Sequence, residues 1–214
     1  KGGVSMTKLN INLGERSYPI YITTDYNGIG KAIDDAALKG KYVMITDTNV
    51  DKYQADECMK AFESVGLDVK KFVIEAGESN KNLDTVRQIY DFLITLKLDR
   101  NATIIALGGG VVGDIAGFVA STFLRGINFV QIPTTLLAQS DSSVGGKVGV
   151  NHPQAKNYIG AFHQPVMVVY DVATLQTLPP RELYAGFAEV IKHGLIADAD
   201  FVSWLEQEAD ALLS

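Results

Sequence analysis

Short apolar runs alternate with stretches of helical period along most of the 214 residues. Leu9 to Leu13 and Ile20 to Thr23 flank Gly14-Glu15-Arg16-Ser17 and predict a hairpin. Ile29 to Leu38 has the spacing of a short helix, Tyr42 to Thr46 reads as a strand, and Val50 to Val65 as an amphipathic helix closed by Gly66. Val69 to Ile74 is the next strand and is followed by Gly77-Glu78. Leu83 to Leu96 carries Val86, Ile89, Tyr90 and Leu93 at helical period. The strand Thr103 to Leu107 then runs into Gly108-Gly109-Gly110 and an apolar helix expected to begin near Asp114, and the strand Ile127 to Ile132 ends in Pro133-Thr134-Thr135. Strand–helix alternation of this kind predicts an α/β fold: a Rossmann-like, mostly parallel sheet with helices on both faces and right-handed crossovers.

The pattern lapses between Asp141 and His163, where Gly, Ser, Asn and His residues show little period, so that a polar loop is expected there. Val166 to Tyr170 reads as one more strand. After Pro179-Pro180 the pattern is helical throughout, over Glu182 to Ile196 and Asp200 to Leu213. These shifts divide the chain into an α/β unit over 6–178 and the start of an all-helical second domain over 179–214. A helix pair cannot bury both of its faces alone, so the second unit is expected to be cut short within the sequence given. Lys1 to Ser5, ahead of Met6, read as a remnant of expression.

Composition narrows the function classes. Nearly half the residues are apolar, enough for a full core, and a net charge of −6 without a Lys/Arg run argues against a nucleic-acid partner. Cys58 is the single cysteine and sits in a helical pattern, so no disulfide framework exists within the chain and a reducing, cytoplasmic setting is expected. The first residues carry no apolar segment of secretory type, and no apolar run reaches membrane-spanning length.

Two strand ends bearing Gly-rich and hydroxyl-rich turns suit a nucleotide, because glycines let backbone N–H groups approach a pyrophosphate and a following helix N-terminus favours negative charge. The spacing is not the GxGxxG fingerprint. Asp114 caps that helix, balances its dipole, or touches a cofactor. Thr134 and Thr135 cap the helix at Leu136 or face a ligand. Asp47 and Asn49 lie just beyond a strand end, where the crevice of an open sheet falls, with turn formation of equal weight. Asp141, Lys147, Lys156 and Asn157 share the Gly-rich polar segment, where a lysine can hold phosphate and an aspartate can orient a hydroxyl or a metal-bound group. Glu189 and Lys192 stand three apart on one helix, as an exposed ion pair or in a cleft. Arg125, before Gly126, reads by default as dipole compensation at a helix C-terminus.

GGGVVGD, IPTTLLAQSDSSVGGK, KNYIGAFHQP, TLPPREL and GFAEVIKHG, in this order, resemble the 3-dehydroquinate synthase family, over essentially the whole chain from Met6 onward. The resemblance implies a lyase of the shikimate pathway of aromatic amino acid biosynthesis. It converts 3-deoxy-D-arabino-heptulosonate 7-phosphate to 3-dehydroquinate and phosphate, with NAD and a divalent metal, zinc. By motif, the resemblance assigns NAD to Asp47, Asn49, Glu78, Lys81, Gly109, Gly110, Val111, Val112, Gly113, Asp114, Thr134, Thr135 and the turn Thr174, Leu175, Gln176, Thr177. Lys147 and Lys156 join the cofactor and substrate shell. The catalytic group it implies is Asp141, Lys147, Asn157, Lys192 and Arg125, the last reaching the substrate phosphate of a neighbouring subunit, hence a homodimer. Glu189 is the implied metal ligand, with two histidines beyond Ser214. His152, His163 and His193 match neither, and His193 is expected to face elsewhere.

The implied chemistry is an internal redox cycle. Oxidation at C5 acidifies the C6 proton, phosphate leaves by β-elimination, the hydride returns, and ring opening with aldol closure completes the carbocycle. With roughly three fifths of the family's length and one of three metal ligands, the 214-residue piece alone is expected to be inactive, since a zinc site needs three or four protein ligands. Two other readings stand beside this one. Another sugar-phosphate cyclase, an inosose or valiolone synthase, would use the same cycle, whereas a metal-dependent alcohol dehydrogenase with similar GGG and PTT turns would release NADH.

Overall fold

The computed structural model describes residues 6–212. The expected remnant Lys1 to Ser5, the helix end at Leu213, and Ser214 lie outside the described residues. The strands are β1 (Thr7–Ile11), β2 (Tyr18–Thr23), β3 (Tyr42–Asp47), β4 (Val69–Ile74), β5 (Thr103–Gly108), β6 (Asn128–Pro133), β7 (Lys147–His152), β8 (Ala155–Phe162) and β9 (Met167–Asp171). The main helices are α1 (Tyr26–Asp35), α2 (Thr48–Val50), α3 (Asp56–Ser64), α4 (Leu83–Thr95), α5 (Gly110–Thr122), α6 (Pro180–Ala197), α7 (Ala199–Gln207) and α8 (Ala209–Leu212). Seven strands form one sheet in the order β1-β2-β9-β6-β5-β3-β4, with β1–β2 antiparallel and the other pairs parallel.

The central strands are near-continuous apolar runs because both faces of a parallel sheet are covered. Alternate residues part to opposite sides. Val43, Ile45, Ile104, Ala106 and Phe129 pack with α4 and α5, while Tyr42, Met44, Ile105, Leu107, Val130 and Ile132 pack with α1 and α3. Cys58 lies in the second group, wholly buried, and burial pushes its thiol pKa up. Lys70 and Lys71 on the edge strand β4 discourage pairing with another chain. Among the described residues no helix is long and apolar enough to cross a membrane.

Four expectations are corrected. Helix α1 starts at Tyr26 rather than Ile29, because the Asp25 carboxylate accepts a hydrogen bond from Gly28 N–H at 3.0 Å and caps it. The expected helix from Val50 to Val65 is α2, a π turn over Asp51–Ala55, and α3. Helix α5 starts at Gly110, one turn before Asp114, so Asp114 is not its N-cap. The expected loop over 141–163 is a π turn (Ala138–Ser142) followed by the antiparallel hairpin β7–β8.

That hairpin lays one face on α5, burying Val148 and Val150, and leaves Tyr158 and Phe162 largely exposed on the other. The contact requires a glycine. A Cβ on Gly117 would stand 2.3 Å from Val148 Cγ1 and 2.9 Å from Phe129 Cε1. Gly117→Val is therefore expected to push β7 off α5 and destabilise the chain by about 1–3 kcal/mol, the usual cost of overpacking. Urea denaturation measures this, and an unchanged midpoint would refute the close packing.

Candidate active site and metal centre

From β3 the chain runs outward to β4, then returns across to β5 on the other side of β3, so that the carboxyl ends of β3 and β5 flank a crevice. At the β3 end, Asp47 Oδ1 accepts from Asn49 N–H and Val50 N–H, both at 2.9 Å, which is a capping role, and Asn49 is exposed. At the β5 end, Gly109 caps α5 without a side chain and the first turn holds no acidic residue. The leading amides of Gly110, Val111 and Val112 have no partner within the helix and are suited to a phosphate. Gly113 N–H donates to Gly109 O at 3.0 Å. From β6, Thr134 is buried with its N–H on Gly108 O, and Thr135 Oγ1 accepts from Ala138 N–H at 3.1 Å, so capping falls to the second threonine alone.

Asp114 points to a buried lysine. Lys81 Nζ lies 2.5 Å from Asp114 Oδ2 and donates to Asn157 Oδ1 at 2.6 Å. Burial pushes the Asp114 carboxyl pKa up, and the hydrogen bond and charge of Lys81 pull it partly back. Asn151 extends the link, donating to Glu78 Oε1 at 2.8 Å and accepting from Asn157 N–H at 2.9 Å. The loop over 77–81 and the hairpin are thus stitched together, and Lys81 sits behind Asp114 with both contacts satisfied.

A cavity of about 510 Å³ opens between α5, the π turn and the hairpin, lined by Asp114, Asp141, Ser142, Lys147 and Asn157, with Tyr158 and Phe162 at its rim. Lys156 is exposed on β8 and does not line it. The turn Thr174–Thr177 lies outside the cavity, in a 3-10 segment after β9 where Thr174 is buried, Leu175 half-buried, and Gln176 and Thr177 exposed. Arg125 is exposed with φ 67°, at the far end of α5 from Gly110, roughly 20 Å along the helix axis. It therefore does not meet this cavity.

Beside Asp141 runs α6. Gly186 seats this helix, since a Cβ there would stand 2.6 Å from Leu136 Cβ and 2.7 Å from Leu137 N. One turn on, Glu189, Lys192 and His193 share a face. Glu189 is ion-paired with Lys192, which raises the lysine pKa through the hydrogen bond. His193 does not face elsewhere: its Nε2 lies 3.6 Å from Asp141 Oδ1. One donor atom each from Asp141, Glu189 and His193 falls within 4.8 Å of the others. Glu189 Oε2 is shut off from solvent, and beyond the Lys192 ammonium it accepts no well-formed hydrogen bond. A carboxylate–carboxylate–imidazole donor set at this spacing fits a divalent cation. His193 was legible as i+4 from Glu189. Ser142 and Asn151 carry no comparable sequence signal.

The family model for the 3-dehydroquinate synthase N-terminal region matches residues 71–185. A 3-dehydroquinate synthase of Acetivibrio thermocellus is 66% identical over 209 residues, 98% of this chain and 58% of that protein. The one of Ruminiclostridium cellulolyticum is 55% identical over 97% of this chain and 58% of its own length. The chain thus spans somewhat over half the length of these relatives. Among solved structures, 2-epi-5-epi-valiolone synthase from Streptomyces hygroscopicus with NAD⁺ and Zn²⁺ bound has a TM-score of 0.86 at 31% identity, covering 95% of this chain and 56% of that one. A 2-deoxy-scyllo-inosose synthase complexed with carbaglucose-6-phosphate, NAD⁺ and Co²⁺ has a TM-score of 0.80 at 30% identity, covering 87% and 50%. An iron-containing alcohol dehydrogenase from Thermotoga maritima shares the fold at 16% identity, with a TM-score of 0.66, covering 81% of this chain and 52% of that one.

The Lys81–Asp114 pair sets a pH dependence. A carboxyl whose folded pKa lies above its unfolded value favours the fold below the unfolded pKa, and that advantage is lost as pH rises through the folded pKa. Lys81→Met takes away the cation that restrains this rise. The variant is expected to lose about 2 kcal/mol at pH 7, allowing for the partial exposure of Asp114, and progressively less as pH falls and Asp114 takes up a proton. Denaturation across a pH series tests this, with Asp114→Asn in the Lys81→Met background expected to flatten the trend. A loss independent of pH would overturn it.

Proposed function

The chain belongs to the 3-dehydroquinate synthase family, and from that membership we propose that the full protein converts 3-deoxy-D-arabino-heptulosonate 7-phosphate to 3-dehydroquinate and inorganic phosphate. It would do so as a cytoplasmic homodimer carrying NAD and zinc, with the α/β unit over 6–178 holding the cofactor and the segment from 179 opening the metal and substrate domain. The observation that carries this reading is the junction of two sites. A crevice with phosphate-directed amides at Gly110 to Val112 adjoins a cavity whose far side meets the donors Asp141, Glu189 and His193. Redox cyclases need a nicotinamide and a metal-bound polyol side by side.

When bound, NAD supplies reversible hydride acceptance and the divalent metal supplies Lewis acidity that lowers the pKa of coordinated hydroxyls. The chain's own residues do the rest. Glu189 holds the cation, assisted in this half of the protein by Asp141 and His193, with further histidines beyond Ser214. Asp141, nearly half exposed, accepts a hydrogen bond from a substrate hydroxyl and orients it. Lys147 and Lys192 place positive charge where phosphate and carboxylate must be neutralised, and Asn157 adds an amide at the cavity wall. Lys81 supports Asp114 and Asn157 from behind. Arg125, distant from its own cavity and without an ion pair among the described residues, is free to reach a neighbouring subunit's substrate.

Identity of 66% to a dehydroquinate enzyme, against 31% and 30% to the valiolone and inosose enzymes, favours this member over the related cyclases. The alcohol dehydrogenase likeness concerns the fold. The full-length protein with zinc and catalytic NAD is expected to release phosphate from the heptulosonate phosphate without net NADH, and to stop when the metal is chelated. Steady NADH from a simple polyol, with no phosphate, would move it to the dehydrogenases. Phosphate release from a different sugar phosphate alone would move it to another cyclase.

A further inference from the structure

Among the described residues two π turns occur, Asp51–Ala55 and Ala138–Ser142, and each presents a glutamine to the same short segment. A π turn re-aims a side chain relative to an α-helix, and such turns gather at functional sites. From the first, the buried Gln54 donates through Nε2 to Thr174 O at 3.1 Å and to Thr177 Oγ1 at 2.7 Å, while its Oε1 accepts from Tyr26 Oη at 3.1 Å. From the second, Gln139 Nε2 shares its two hydrogens among Pro133 O at 3.0 Å, Asp171 O at 3.2 Å and Thr174 Oγ1 at 3.2 Å. The wholly buried Asp171 completes the arrangement, its Oδ1 accepting from Ala173 N–H at 2.9 Å.

We infer that Gln54 and Gln139 are positioning residues that clamp the turn Val172–Thr177 from two directions and couple the cofactor crevice to the metal donors. That turn leads through Pro179 directly into α6, which carries Glu189 and His193. Gln54 follows the Asp47–Asn49 end of the crevice by one turn, and Gln139 stands two residues before Asp141. One segment is thereby held in register with both ends of the site. This inference rests on the proposed cofactor reading, in which the turn at Thr174 to Thr177 touches NAD.

The test uses the full-length protein, with NAD affinity measured by titration calorimetry and zinc affinity by chelator competition. Gln54→Glu keeps the shape and the acceptor for Tyr26 but removes both donated hydrogen bonds. It is expected to weaken NAD about tenfold and zinc by a smaller factor, because the turn it holds leads into α6. Gln139→Leu is expected to weaken NAD by a similar factor and zinc as well, because it frees the turn that carries Asp141. If Gln139→Leu does not fold, Gln139→Glu takes its place. Ile33→Val, on the buried face of α1, is the control: it lowers the melting temperature without touching the turn. A merely structural role would make the glutamine variants behave like this control, with NAD and zinc affinities unchanged, and would overturn the inference. If the unaltered protein binds no NAD at all, the cofactor reading falls, and this inference with it.

Discussion

A lysine ammonium almost wholly removed from water must have an anion beside it, and here that demand fixes the walls of the cleft. Lys81 belongs to the loop after β4, Asp114 to α5, and Asn157 to the hairpin, three segments that share no strand pairing. Shifting any one of them would leave a buried charge with incomplete compensation, a far larger cost than the loss of an ordinary hydrogen bond. A two-stranded hairpin is marginal in isolation. This one is held by its apolar face on α5 and by the amide contacts of Asn151 and Asn157, so the cavity between them keeps its form.

The parts of the fold that are legible in the sequence are those where burial dictates composition. β3 and β5 read as strands because both of their faces are covered, and α4 because its apolar residues recur on one side. The hairpin β7–β8 is not legible. It buries one face and is rich in glycine and polar residues on the other, so its alternation is blurred, and Gly149 and Gly160 add no side-chain signal. The start of α5 reads too late because glycines at its first turn look like loop, whereas they leave backbone amides open where a side-chain cap would block approach. At the site, the motifs identify Asp114 and Glu189 but not all of their neighbours. His193 matches no ligand position that the family resemblance implies, although its spacing from Glu189 puts both on one helical face.

The fold is common to cyclases and to an alcohol dehydrogenase of 16% identity. Fold alone therefore does not choose between net oxidation and an internal redox cycle. What bears on that choice is charge. Lys147, Asp141 and Asp114 line one cavity, and Lys192 stands beside Glu189, so this site offers charges of both signs.

The pairing of β2 with β9 has a kinetic side. Ile20 lies in register with Val168, so partners in adjacent strands come from opposite ends of the α/β unit. On a ribosome, the β1–β2 hairpin emerges ahead of the rest of this unit and must wait, one edge open, until β9 has been made before it can be seated against it. Contacts so distant along the chain form late and close a large loop. The seam between β2 and β9 is thus where nascent protein is most exposed to mispairing, and where a chaperone would have the longest time to act.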